Sequence, residues 1–322
     1  MGKRRREDAA RQEGDALDRA FARLEEAPAG LHDLEPPAAR LPPGLPEGLI
    51  ELYARCDGGR LFLDTIELVR STEITMPVAG RWRFGTIDGD PLSIDHRGKI
   101  WRFDANLEDE LCDGTRLDRW LAGVIEATEL FYDADGEFAE DVFDDEGEIE
   151  PRVREKSLRA QIKRDAAAPG PRWRLAQALA DQGAIEDARN ELEQVVSDDP
   201  AFAWAWLDLA RISEKLGDLG NATDEIRMAA ETADGTQHPQ AGYFWAQLAR
   251  LAVRTGDDLL RAEAATRASL IAPDLRRAQL DGATASLAAG DVVSARGLIE
   301  LLRAVWPRDL EVLDLARRVE GN

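Results

Sequence analysis

Apolar residues recur along this chain in two patterns, and the change between them divides it. Leu17, Ala20, Phe21 and Leu24 share one stripe of an amphipathic helix over 7–27. The joint "EPPAARLPPGLP" that follows must be extended, because proline restricts both itself and the residue before it. Pro46 then stands where a first helical residue would, and Leu49, Leu52, Tyr53 and Cys56 follow at helical spacing. Asp57-Gly58-Gly59 reads as the stop of that helix. A phosphate-cradling loop runs strand, glycines, helix, so this pair sits at the wrong end for one. From Leu61 to Phe103 the pattern shifts to strands. "LFLDTIELV", "RWRFGTI" and "PLSIDHRGKIWRFD" carry β-branched and aromatic residues, with turns at Asp88-Gly89-Asp90 and Arg97-Gly98. Leu117, Trp120, Leu121, Val124, Ile125 and Thr128 return to helical register. The pattern predicts an α+β domain, one small sheet flanked by helices.

The second half is helical and repeats itself. Gly183, Gly217, Gly256 and Gly290 are separated by 34, 39 and 34 residues, and Ala188, Ala222 and Ala295 stand five positions after three of them. Alanine at that point lets paired helices approach, while Leu192, Ile226 and Ile299 fill the gap between them. Pro200, Pro273 and Pro307 close units, and Trp206 and Trp245 take a large aromatic position in the first helix of a pair. The third unit is irregular: Arg261 stands where alanine belongs, and "GTQHPQ" lengthens the preceding loop. "DLEVLDLARRVE" reads as a capping helix. The expected organisation is an N-terminal helix over 1–30, an α+β domain over 31–150 and a basic helical connector over 151–168. Four helical repeats over 169–307, forming an all-α solenoid, and a cap over 308–322 complete it.

Helix–turn–helix units of this length and pattern resemble the tetratricopeptide (TPR) repeat. The first half resembles the SUKH superfamily, which includes yeast cell-wall regulators and bacterial toxin-immunity proteins. That resemblance covers about 40–135 and rests on "LPEGLIELYARCDGG", on "IDGDPLSIDHRGKIWRFD" and on the helix around Trp120. It implies no catalytic residues. The TPR resemblance implies a groove lined by fixed positions of each first helix. Carried onto this chain these include Trp173, Gln177, Trp204, Leu207, Arg211, Lys215, Tyr243, Arg250, Arg254 and Arg277, with Glu214 and Val253 among them. Such a groove would hold an extended acidic peptide, with arginines on its carboxylates and rings as anchors. The alternative is that Trp204 and Tyr243 only pack between helices.

Charge sharpens the partner. The net charge is −22 over 322 residues, and most of the excess lies between Phe103 and Glu150. Asp133, Asp135, Glu137, Glu140, Asp141, Asp144, Asp145 and Glu146 concentrate it into a candidate protein-binding surface. Nucleic acid is not expected as a partner, since phosphate contacts need clustered Lys and Arg. A basic protein, such as a toxin, fits the acidic surface; a solvated face with no specific role is the plain alternative. No apolar run approaches the length of a membrane span, and the start lacks a secretory core. Two cysteines are too few for a disulfide framework. A cytoplasmic, monomeric protein without cofactor or metal is expected.

Chemistry is sparse. His32, His96 and His238 show no metal-ligand spacing to one another or to cysteine. "DADGEF" invites calcium, but Phe131 stands where the first ligand of an EF-hand loop belongs. Asp95-His96 is either a dyad or a turn pair. Three readings follow: a toxin-binding immunity module on a TPR scaffold, a general adaptor for acidic peptides, or an enzyme with an unrecognised site.

Overall fold

The computed structural model describes residues 16–321. The chain divides into two compact units, Met1–Glu191 and Leu192–Asn322. As expected, an antiparallel α+β part precedes a run of helical hairpins.

In the first unit, helix α1 occupies 16–26; the predicted stretch 7–15 lies outside the described residues. Strand β1 (His32–Leu34) and helix α2 (Glu47–Tyr53) precede β2 (Gly59–Leu61), β3 (Ile66–Leu68) and β4 (Thr75–Val78). The central strands are β5 (Arg81–Ile87), β6 (Asp90–Asp95), β7 (Ile100–Asp104) and β8 (Asp109–Gly114). All pairs are antiparallel. The order is β1-β2-β3-β5-β6-β7-β8, with β4 beside β5. Helix α3 (Leu117–Thr128) covers the sheet. Phe84, Leu92, Ile94 and Ile100 meet Leu17 of α1, Leu49 and Tyr53 of α2, and Trp120, Leu121 and Ile125 of α3 in one core.

The glycine pair does other work than the pattern suggests. Helix α2 ends at Tyr53 on a right-handed cap at Ala54, before the glycines. Gly59 instead lets β2 lie against β1: its φ is +127°, and a Cβ there would stand 2.3 Å from the Asp33 carbonyl oxygen. Close backbone approach, not helix termination, requires the glycine.

One turn design appears three times. In Asp95-x-x-Gly98, Asp133-x-x-Gly136 and Asp144-x-x-Gly147, Asp Oδ1 accepts from the backbone N–H groups two and four residues on, at 2.8–3.1 Å. Each glycine N–H donates to its aspartate's carbonyl. The first copy joins β6 to β7; the other two stand in tandem, eleven positions apart, closed by bridges Tyr132–Phe138 and Phe143–Ile149.

The expected connector belongs to the first unit's body. Helix α4 (Pro151–Arg164) packs on α3, and α5 (Pro169–Asp181) packs on β8. A Cβ at Gly170 would lie 2.8 Å from the Cys112 carbonyl oxygen, so α5 begins directly on the strand. Two buried carboxylates join these helices to the sheet. Asp165 accepts the backbone N–H and the hydroxyl of Thr115, both at 2.6 Å. Asp113, 2% exposed, accepts Trp120 Nε1 at 2.8 Å and pairs with Arg174 of α5.

Helix α6 (Ile185–Asp198) carries the chain into the second unit. There α7 (Ala203–Lys215) and α8 (Leu219–Gly235), α9 (Ala241–Thr255) and α10 (Asp258–Ile271), and α11 (Leu275–Ala288) and α12 (Val292–Val305) form hairpins, closed by α13 (Leu310–Glu320). A Gly-Asp pair makes each hairpin turn: the glycine takes a left-handed φ, and the aspartate caps the next helix. Asp218, Asp257 and Asp291 accept from the N–H three residues on at 3.2, 2.9 and 3.0 Å. Ala222 and Ala295 are fully buried at the close approaches. The repeat order then changes. Helix α9 packs on α8, but it is α12 rather than α11 that packs against α9 and α10. Arg261, flagged by the sequence as out of place, reaches α12 and donates to the Ala304 carbonyl at 3.3 Å.

Candidate protein-binding surfaces

The groove residues expected from the repeat pattern divide between interior and surface. Trp173 and Gln177 lie on α5 of the first unit, and Trp173 is buried. In the second unit Leu207 is buried, and Trp204, 8% exposed, packs edge-on against Phe244 at 4.8 Å and beside His238 and Tyr243. These apolar side chains face the neighbouring helix, which takes most of their surface from a ligand. Arg211, Lys215 and Arg254 are exposed, and Tyr243 and Arg250 half-buried. Arg277 is exposed on α11, ion-paired to Asp281 one turn along; because α12 takes the inner place, α11 does not bring it to the others.

A polar chain joins α7 to α9. Arg211 pairs with Asp208 and donates to Tyr243 Oη at 3.3 Å, which also accepts Gln247 Nε2 at 2.8 Å. Arg250 donates to Gln247 Oε1 at 2.9 Å and, through both terminal nitrogens, to Glu214 at 2.8 and 2.6 Å. Arg254 pairs with the same carboxylate. Burial pushes the Glu214 carboxyl up, but the bonds and charges of Arg250 and Arg254 outweigh it and hold it below the usual range. Glu214 therefore stays ionised and occupies donors that the pattern assigns to a peptide.

In the first unit the acidic residues crowd onto the tandem turns. Asp133 and Asp144 spend one oxygen each on their own turn, and Asp141 pairs with Arg152 at 3.2 Å. Asp135, Glu137, Glu140, Asp145 and Glu146 are exposed. The sequence reading missed the rings between them. Tyr132 stacks on Phe62 and on Phe138 (5.7 and 4.9 Å), and Phe143 meets Phe138 edge-on at 5.0 Å. Phe138 and Phe143 remain 49% and 40% exposed. The signal was present: each turn aspartate directly follows an aromatic residue, at the eleven-residue spacing.

Other groups are engaged structurally. Asp95 caps its turn and accepts Trp101 Nε1 at 3.3 Å, so its carboxylate serves the hairpin. His32 accepts the Phe62 N–H through Nδ1 at 3.1 Å, and burial lowers its pKa. His238 Nδ1 accepts the Gln240 N–H at 3.0 Å. Burial pushes the Cys56 thiol up to about 11, away from a nucleophilic thiolate. Among the described residues no group of three or more His, Cys, Asp or Glu could hold a metal ion. No helix among them is long and apolar enough to cross a membrane.

Residues 179–241, from the end of α5 to the start of α9, match the family model of the tetratricopeptide repeat. The chain carries a TPR segment. Solved structures similar to it include MamA, at 17% identity and TM-score 0.35 over 53% of this chain and 92% of that one. PilF from Pseudomonas aeruginosa is similar at 14% identity and TM-score 0.37, over 53% and 75%. A tetratricopeptide repeat protein from Parabacteroides merdae is similar at 14% and 0.37, over 53% and 66%. Comparison with curated proteins finds no match.

Proposed function

We propose that this chain is a non-catalytic scaffold that binds a basic protein partner on the tandem acidic turns of its first unit. The observation that carries this is the exposed Phe138–Phe143 pair among carboxylates. Two large rings half in water at the bridges that close ordered turns are anchors in want of a partner, and the surrounding charge selects a basic one. In its sharper form, supported by the SUKH resemblance, the partner is a toxin and the chain its immunity protein. The test is affinity capture with the full chain and with Phe138→Ser/Phe143→Ser, whose melting should match. A basic protein held by the wild type and lost from the variant is expected, and growth rescue on co-expression with that protein would identify a toxin. Equal capture by both would refute this surface.

A second reading, that the helical repeats hold an acidic segment, draws on Arg211, Lys215, Tyr243 and Arg254 on the α7 and α9 faces.

A further inference from the structure

In the second unit a cleft of about 790 Å3 opens among α9, α10, α12 and α13. It exists because α12, not α11, docks on α9 and α10. Arg250, Arg254 and Val253 of α9, Arg261 of α10, Arg303 of α12 and Leu313 near the start of α13 line it. Only the α9 members belong to the groove that the repeat pattern assigns.

We propose that this cleft binds an extended acidic segment of a partner chain, with one apolar side chain seated on Val253 and Leu313. The proposal rests on the reading that the helical repeats hold a partner, and it names where. Four guanidiniums face the space against two carboxylates in its lining, Asp258 and Glu300. Arg250 and Arg254 share Glu214, so one carboxylate answers two cations and donors remain for a ligand. Arg303 reaches out to Glu320 at 3.0 Å, and Arg261, one nitrogen of which donates to the Ala304 carbonyl, comes no nearer than 3.7 Å to its carboxylate partner, Asp258. Both are pairs at exposed carboxylates, which water and salt weaken, and an incoming carboxylate can exchange with them. Val253 is 53% exposed on the α9 wall, an apolar floor between the charges. The volume suits several residues of extended chain rather than a single small anion, and a net charge of −22 disfavours nucleic acid at any site.

The test uses the full chain and three fluorescein-labelled heptapeptides: alternating Glu and Leu, alternating Lys and Leu, and all Glu. Fluorescence anisotropy should show the Glu-Leu peptide binding more tightly than all-Glu, and the Lys-Leu peptide not binding. Arg303→Glu and Val253→Asp, both surface changes expected to leave melting unaltered, should each weaken the Glu-Leu peptide about tenfold or more. Lys215→Glu, on the α7 face that the second reading draws on and outside the cleft, separates the two locations: binding that survives it but falls with Arg303→Glu and Val253→Asp supports the cleft. Binding that ignores Arg303→Glu and Val253→Asp but falls with Lys215→Glu overturns the cleft while keeping an acidic segment on the α7–α9 face. No binding of either Glu peptide overturns both that reading and this one.

Discussion

The carboxylate of Asp113 lies out of water, so its partners set its charge. Burial alone would push its pKa up, but the guanidiniums of Arg174 and Arg102 and its bonds to Arg174 and Trp120 hold it below the usual carboxylate range. Removing the charge with Asp113→Asn takes the counter-ion from Arg174, while Arg102 keeps Asp90 and Asp88, and should cost about 3 kcal/mol in denaturant unfolding. The pH dependence follows from the depressed native value. The contribution is fully present above the unfolded pKa, about 3.9, and is lost as pH falls through the native one. Between pH 7 and pH 3 the wild type should therefore lose more stability than Asp113→Asn, and parallel loss would contradict the assignment. Gly59 makes a second prediction at this scale. A methyl group there meets the Asp33 carbonyl at 2.3 Å on a left-handed backbone, so Gly59→Ala should destabilise by more than about 2 kcal/mol. Sequence alone marked Gly59 as special but gave the wrong reason, because contact with β1 is invisible until the strands pair.

At the scale of elements, local chemistry and periodicity were largely legible. The Gly-Asp turns of the hairpins could be placed from glycine spacing because a left-handed residue and a side-chain cap are properties of neighbouring residues. The tandem acidic turns are equally local. Asp133→Ala removes the acceptor of two backbone N–H groups and should cost about 1–2 kcal/mol, confined to that turn. Hydrogen exchange should quicken at the Asp135 and Glu137 amides while the global melting temperature barely moves. The register of α11 and α12 was not legible. Which helix of the fourth pair docks on α9 depends on how side chains from several helices share space; Arg261, which read only as an irregularity, reaches the Ala304 carbonyl of the helix that does dock.

For the whole molecule, the buried joints of Asp113 and Asp165 decide where folding units end. A cut at the expected boundary after residue 150 would strip α4 from α3 and α5 from β8, and would leave Asp113 without Arg174 and the Thr115 donors without Asp165. A fragment of residues 1–150 should therefore lack a cooperative thermal transition, whereas 1–198, ending with α6, should melt cooperatively; circular dichroism distinguishes them. Net charge acts at this scale too. If a basic protein is the partner, its association rate should fall steeply between 50 and 500 mM salt, roughly in step with a Debye length shrinking from over 10 Å to about 4 Å, while dissociation changes less.

Periodicity, glycine spacing and the placement of charge by themselves determined the two-part architecture, the helical repeats and the acidic field, because each is written in residues close along the chain. The burial of Trp204 and Leu207, the capture of Arg250 and Arg254 by Glu214, the exposure of Phe138 and Phe143 and the opening of the four-arginine cleft were decided only by tertiary structure. Each depends on residues far apart in sequence competing for the same neighbours, and that competition is resolved only when the helices and strands pack.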